Sequence, residues 1–253
     1  MKMILIGDRI NSRIGEVKRA IKRRDDAYIH NLAKRQAKKC DYLDLFAEEK
    51  SDMLWLIEIV DAVDADAELC IDTTDVDILE SALSACRGEV MINSISGEEK
   101  RLSEFLQLIK DYNASCIALC MDERGIPATA EERAKVCKKV LERCVEKGIE
   151  DVYFDPLVMP ISINEKNGMT TLKTLEILKS MSVKTTSGLT NISYGLPCPS
   201  NVEVAFLALA FRYSDSMILN PLDEAIIEMI RACEAVIGRD RFCRGYLRAY
   251  RKV

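Results

Sequence analysis

Several common chemistries are closed to this chain by what it lacks. It carries one histidine, His30, in 253 residues. A single imidazole excludes a His-rich metal site and any Ser-His-Asp triad built on another histidine. His30 lies in the helical pattern Tyr28-Ile29-His30-Asn31-Leu32 and reads as structural. No Gly-x-Gly-x-x-Gly follows the first apolar run, and no Gly-x-x-x-x-Gly-Lys-Ser/Thr occurs. The dinucleotide-binding and P-loop readings lose their main support. No apolar stretch approaches the roughly 20 residues of a membrane helix, so no membrane partner is expected. The opening run Met1-Lys2-Met3-Ile4-Leu5-Ile6 is too short for a signal peptide and fits a buried first strand, so a cytoplasmic protein is expected. Excess positive charge is also missing. The net charge is -5, which argues against a nucleic-acid partner. The basic runs Lys18-Arg19 and Lys22-Arg23-Arg24 alternate with apolar residues, as on a solvated helix face.

Cysteine is plentiful, at ten residues, but no Cys-x-x-Cys occurs. Cys116 and Cys120 flank Ile117-Ala118-Leu119 and belong to a strand. Cys137 and Cys144 fall seven apart on a helical pattern. They read as small buried hydrophobes, and no bound metal is expected.

Hydrophobic residues make up 48% of the chain and charged residues 30%, a globular balance. Short apolar runs alternate with longer helical patterns. The runs at 3–6, 42–46, 68–72, 90–95, 116–121, 151–155, 184–189 and 216–219 predict strands. Helical patterns cover 51–63, 76–85, 98–112, 130–147, 171–181, 202–211 and 224–237. The region 16–39 holds one or two helices. Strand–helix alternation implies parallel strands, because a parallel pair needs a crossover. Eight such units in this length favour an α/β fold of one (β/α)8 TIM barrel over an open sheet. No Pro/Gly/Ser-rich linker divides the chain, so residues 1–253 read as one domain.

Active sites of such barrels lie at the C-terminal ends of the strands. Polar residues recur there: Asn11 after the first strand, Asp72 after the third, Asn93 in the fourth, Asp155 ending the sixth, Gly188 and Asn191 at the seventh and Asn220 after the eighth. Each also has a local reading as helix cap or turn former. Asp75 and Ser96 are the best capping candidates, since each stands just before its helix. Asp72, Asn93, Asp155 and Asn191 each follow a buried run and should point into one shared cavity. Two carboxylates and two amides, without histidine or lysine, make a poor nucleophilic set. They make a good frame for a flat polar heterocycle, because a carboxylate accepts two adjacent N–H donors and an amide both donates and accepts.

The strand-end motifs resemble the pterin-binding methyltransferases that move a methyl group between tetrahydrofolate and the cobalt of a corrinoid protein. The resemblance covers Ile6-Gly7-Asp8-Arg9-Ile10-Asn11, Tyr42-Leu43-Asp44-Leu45, Cys70-Ile71-Asp72-Thr73-Thr74 and Met91-Ile92-Asn93-Ser94. It continues through Gly125-Ile126-Pro127, Tyr153-Phe154-Asp155-Pro156-Leu157 and Gly188-Leu189-Thr190-Asn191-Ile192-Ser193. It implies that Asp72, Asn93 and Asp155 hold the pterin edge, with Gly188, Asn11 and Asn220 lining the site. It implies that Asn191 is catalytic, hydrogen-bonding the ring nitrogen that carries the methyl group. Tetrahydrofolate or methyltetrahydrofolate would be the substrate, and the corrinoid (cobalamin) would arrive on a separate corrinoid protein. An Asp-x-His-x-x-Gly corrinoid motif is absent around His30. The resemblance also implies a homodimer and a place in the one-carbon metabolism of methylotrophy or betaine-type demethylation.

Two departures stand out. Phe46 occupies the place where these relatives usually carry an asparagine. The loop after Asn191 reads Tyr194-Gly195-Leu196-Pro197-Cys198-Pro199, without the Gln and Arg that meet the folate tail in some relatives. Phe46 or Tyr194 could instead stack on a flat ring. The rival readings are a dihydropteroate synthase-like pterin enzyme, a non-catalytic folate-binding protein and a zinc thiol methyltransferase. The cysteine spacing argues against the last.

Overall fold

The computed structural model describes residues 2–251. Its elements follow the apolar periodicity. The chain opens with β1 (Ile4–Asn11), α1 (Gly15–Arg23), α2 (Asp26–Ala37), β2 (Tyr42–Phe46), α3 (Lys50–Asp61), β3 (Glu68–Asp72) and α4 (Val76–Ala85). The middle holds β4 (Val90–Ile95), α5 (Glu99–Asp111), β5 (Ser115–Leu119), α6 (Ala130–Lys147) and β6 (Val152–Asp155). It closes with α7 (Asn167–Ser180), β7 (Lys184–Thr185), α8 (Pro199–Ala210), β8 (Ser216–Leu219), α9 (Glu224–Val236) and α10 (Arg244–Tyr250).

All eight strands run parallel in the order β8-β1-β2-β3-β4-β5-β6-β7. The ring closes where the extended chain after β7 meets β8: Asp215 N donates to Thr185 O at 3.1 Å and Ile218 N to Ser187 O at 3.0 Å. This is the expected (β/α)8 barrel. The expected seventh strand over 184–189 is shorter, because the chain folds into a 3₁₀ turn over Leu189–Ser193. The first strand is longer than expected and carries polar Asp8 and Arg9 through an irregularity between Gly7 and Ile10.

Local chemistry sets the helix ends. Asp25 accepts from Tyr28 N at 3.0 Å and Asp75 from Ile78 N at 3.0 Å, each a helix N-cap. Thr129 and Glu132 form a capping box on α6, and Gly148 ends that helix with φ +73°. Ser96 does not cap. Its hydroxyl donates to Glu98 Oε2 at 2.8 Å, because Glu98 itself holds the N-cap position of α5. On α1, Val17, Ala20 and Ile21 are buried while Lys18, Arg19, Lys22 and Arg23 face solvent.

The strand pleat divides the side chains between two cores. Outward residues such as Leu43, Leu45, Leu69, Ile71 and Phe154 pack on the helices. Inward residues Ile6, Cys70, Met91, Ile117 and Tyr153 fill the barrel. The same period places the next inward residue two positions later. That residue is Asp8 on β1, Asp72 on β3, Asn93 on β4, Leu119 on β5 and Asp155 on β6. On β2, partly buried Tyr42 likewise leads to Asp44. An apolar floor is thus covered by a polar, mostly acidic layer at the C-terminal ends of the strands.

Gly7 lets the wall of this barrel close. A Cβ there would stand 2.9 Å from Gln36 Oε1, 3.0 Å from Cys40 Sγ and 3.1 Å from Pro221. The same Gln36 oxygen accepts from Arg9 N at 3.1 Å, fixing the irregular end of β1.

Candidate functional site

The strand registers bring several expected residues together. Asn11 lies beside Phe46, Phe46 beside Asp72 and Asp72 beside Asn93 across β1 to β4. Asp44 stands one inward step below, 3% exposed. Asn93 Nδ2 donates to Asp44 Oδ1 at 3.2 Å, so the amide bridges two strands. Burial, then the neighbouring Asp72 charge, holds the Asp44 carboxyl well above the usual carboxylate range. Burial likewise pushes Asp72 up to about 6, while the positive charge of Arg13 pulls it back.

The other side of the mouth is built around Asp155, 6% exposed. Its Oδ1 accepts from Leu157 N at 2.7 Å. Burial raises it to about 6, opposed by that amide, by the Arg133 charge and by the Gly188 amide. Arg133 is a buried guanidinium from α6. It donates to Pro127 O at 3.0 Å, Pro156 O at 2.7 Å and Leu157 O at 2.8 Å. It thereby ties the loop after β6 to the loop after β5. Leu157 takes φ +64°, a costly conformation for a branched residue, and these bonds hold it there.

Asn191 is exposed at the rim, on the 3₁₀ turn that follows β7. Its Nδ2 lies 3.2 Å from where a Gly188 Cβ would stand, so the amide folds back over Gly188 in the space that glycine leaves. The Gly188 amide is also among the groups that pull the Asp155 carboxyl down, so Asn191 lies over a glycine that faces Asp155 electrostatically. Two hydroxyls fasten the turn from below. Thr190 Oγ1 donates to Asp8 Oδ2 at 3.4 Å, and Ser193 Oγ to the buried Glu203 at 2.6 Å. Burial pushes Asp8 up to about 6, with Arg9 opposing.

Asn11 and Asn220 stand at the rim and make local turns. Asn11 Oδ1 accepts from Arg13 N at 2.9 Å and Asn220 Oδ1 from Leu222 N at 3.0 Å. Their amide nitrogens are left free of that work. Tyr194 is 71% exposed on the outer loop, while Phe46 is half-buried within the mouth. No cluster of three or more His, Cys, Asp or Glu suited to a metal occurs among the described residues.

Four residues outside the expected set of site residues also shape the mouth: Asp8, Asp44, Arg133 and Glu203. Asp44 carried a signal, since a carboxylate in the middle of Tyr42-Leu43-Asp44-Leu45-Phe46 on the inward parity of Tyr42 must enter the barrel. Asp8 did too, once β1 is extended past Ile6. Arg133 and Glu203 look like ordinary helix polar residues, and only the fold shows that they turn inward.

A set of deeply set carboxylates with two amides suits a flat ligand that brings its own N–H donors. The chain belongs to the family of pterin-binding enzymes, whose model matches residues 45–212. Within that class it is 31% identical to methylcorrinoid:tetrahydrofolate methyltransferase of Eubacterium limosum over 263 residues, spanning 99% of this chain and 97% of that one. It is also 28% identical to methionine synthase of Mycobacterium leprae over 142 residues, 51% of this chain and 12% of that protein. Among solved structures, a Coxiella burnetii dihydropteroate synthase in complex with pteroic acid shares the fold, with a TM-score of 0.71 and 15% identity over 94% of this chain and 95% of that one. A Xanthomonas albilineans dihydropteroate synthase in complex with 7,8-dihydropteroate gives 0.69 and 17% over 93% and 94%.

Proposed function

We propose that this protein transfers a methyl group from a methylated corrinoid protein to tetrahydrofolate. The observation that carries the reading is the Asn191 amide, folded over Gly188 beside Asp155 on a pinned turn. The near full-length likeness to a methylcorrinoid:tetrahydrofolate methyltransferase supports the donor, the acceptor and the direction. Asp72, Asn93 and Asp155 accept from and donate to the pterin edge, with Asn11 and Asn220 at the rim. Asp44 stiffens Asn93 from below.

The ring nitrogen attacks the methyl group, and the methyl–cobalt bond breaks with its electron pair left on cobalt. The nitrogen then passes its proton to a water molecule. Asn191 serves both stages, because its carbonyl accepts the N–H during the attack and its NH₂ donates to the lone pair that deprotonation leaves. Such a contact speeds transfer to the extent that it strengthens in the transition state. Positioning two large partners supplies much of the rest.

Residues 1–253 act as one domain in this reading, cytoplasmic, with the corrinoid held by the separate partner and no resident metal. A second copy packs on the groove of about 890 Å³ across α6, α7 and α8, where Met169 and Leu209 are exposed. The route feeds one-carbon metabolism of the methylotrophic kind.

A dihydropteroate synthase reaction fits less well. It needs a cation near the late strand ends for a pyrophosphate leaving group. Lys184, at the start of β7, instead pairs with Asp151 at 2.5 Å, at the other end of the barrel. The test is to mix the protein with tetrahydrofolate and a methylated corrinoid protein. Methyltetrahydrofolate should form as the methyl–cobalt absorbance is lost. Pteroate formation from a pterin pyrophosphate, or binding without methyl transfer, would overturn the proposal.

A further inference from the structure

Arg13 stands at the rim with its guanidinium carbon 4.1 Å from the centroid of the Phe46 ring, a cation–π stack. Its orientation is set by the turn in which Asn11 Oδ1 accepts from Arg13 N. The other arginines of the mouth are engaged. Arg9 lies 4.0 Å from Asp8, Arg124 forks onto Asp122 at 2.8 Å, and Arg133 is bound to carbonyls. Arg13 forms no ion pair among the described residues. Glu48 and Glu49 follow Phe46 in the next loop, exposed, and neither pairs with it. Arg13 stacks on Phe46, whose register neighbour is Asp72, and its charge pulls the Asp72 carboxyl down. Phe46 shares its register with Asn11 and Asp72, so its ring borders the acidic layer. An aromatic ring capped by a free guanidinium matches a ligand made of a flat ring followed by a carboxylate. The loop 194–199 that follows the β7 turn contains no basic residue.

We propose that Arg13 and Phe46 form the subsite for the p-aminobenzoyl-glutamate tail of the folate. Phe46 packs against the aminobenzoyl ring and Arg13 takes a glutamate carboxylate. This rests on the folate reading above. It places the tail over the loops after β1 and β2 rather than over the loop that follows Asn191.

Affinities for tetrahydrofolate and for 6-methyltetrahydropterin, which has the ring without the tail, test it in wild type, Arg13→Gln and Phe46→Leu. At pH 8, above the range in which Asp72 titrates, Arg13→Gln should weaken tetrahydrofolate roughly fivefold and leave the tetrahydropterin within about twofold, as expected for one exposed charge pair on an aromatic shelf. Phe46→Leu should act in the same direction. Raising the salt should shrink the wild-type preference for tetrahydrofolate and leave that of Arg13→Gln unaltered. Equal losses for both ligands would mean that Arg13 serves the ring, and no loss for either would mean that the tail lies elsewhere; each overturns the subsite. Wild-type protein that binds neither ligand would overturn the pterin reading itself, and the subsite with it.

Discussion

At the scale of single residues, the site is built from carboxylates kept out of water. Asp155 and Asp72 are pushed from 3.8 up to about 6, chiefly by burial. Below that pH each carries a proton and no longer accepts two N–H donors. Tetrahydrofolate affinity should therefore fall as the pH drops through about 6, readable by titration calorimetry from pH 7.5 to 5. A flat profile would show that neither carboxylate meets the ligand ionised. The stability of the free protein runs the other way. With pKa values raised on folding, the native state binds more protons than the unfolded chain between about 4 and 6. These groups therefore favour the fold at low pH, and that contribution is lost as the pH rises through about 6. The cost at neutral pH is on the order of 2 to 3 kcal/mol for a fully buried group. Asp155→Asn should raise the melting temperature of the unliganded protein at pH 7 by several degrees while removing its ligand binding. The residues that strand-end reasoning reaches are those following an apolar run directly, such as Asp72 and Asp155. Asp44 lies inside its strand rather than at its end, so position after an apolar run does not mark it.

At the scale of elements, the turn over Leu189–Ser193 decides where Asn191 points. It is held by Ser193 to Glu203 at 2.6 Å and by Thr190 to Asp8 at 3.4 Å, from α8 and β1. In the proposed reaction Glu203 would touch no reacting atom and would serve as a positioning residue through Ser193. Glu203→Gln keeps a hydrogen bond of lower strength. It should lower the methyl-transfer rate several-fold with little change in tetrahydrofolate affinity, and Glu203→Leu should lower it further. Equal falls in rate and affinity would mark a general loss of structure instead. The regular elements were legible because their periods are local. β2, β3, β4, β8, α4 and α6 begin and end where apolar runs and capping residues place them. The end of β7 was not legible. Thr185, Thr186, Ser187 and Gly188 look like a continuing strand, and only the closure onto β8 and the space over Gly188 turn the chain into a 3₁₀ turn.

At the scale of the whole molecule, strand–helix alternation without nucleotide motifs points to the barrel, because a parallel sheet of this length has few ways to bury both faces. What alternation does not reveal is the use of the outer helix faces. α8 buries Phe206, Leu207 and Ala210 inward yet leaves Leu209 60% exposed beside Met169. If a second copy covers that groove, light scattering should give twice the chain mass. Leu209→Glu should shift it to the monomer without unfolding the barrel, and a wild-type monomer at micromolar concentration would exclude the dimer.

In the proposed reaction the acidic layer grips the pterin while Asn191 acts on the transferred methyl group. It is tested most directly by comparing tetrahydrofolate affinity with single-turnover methyl transfer in Asp155→Ala and Asn191→Ala. Asp155→Ala should bind at least about tenfold more weakly, the loss of charge-assisted hydrogen bonds in a buried site. Asn191→Ala should keep its affinity within about threefold and lose roughly a hundredfold in rate, as when one transition-state hydrogen bond is removed. Unchanged binding in the Asp155 variant, or an unchanged rate in the Asn191 variant, would contradict the assignment.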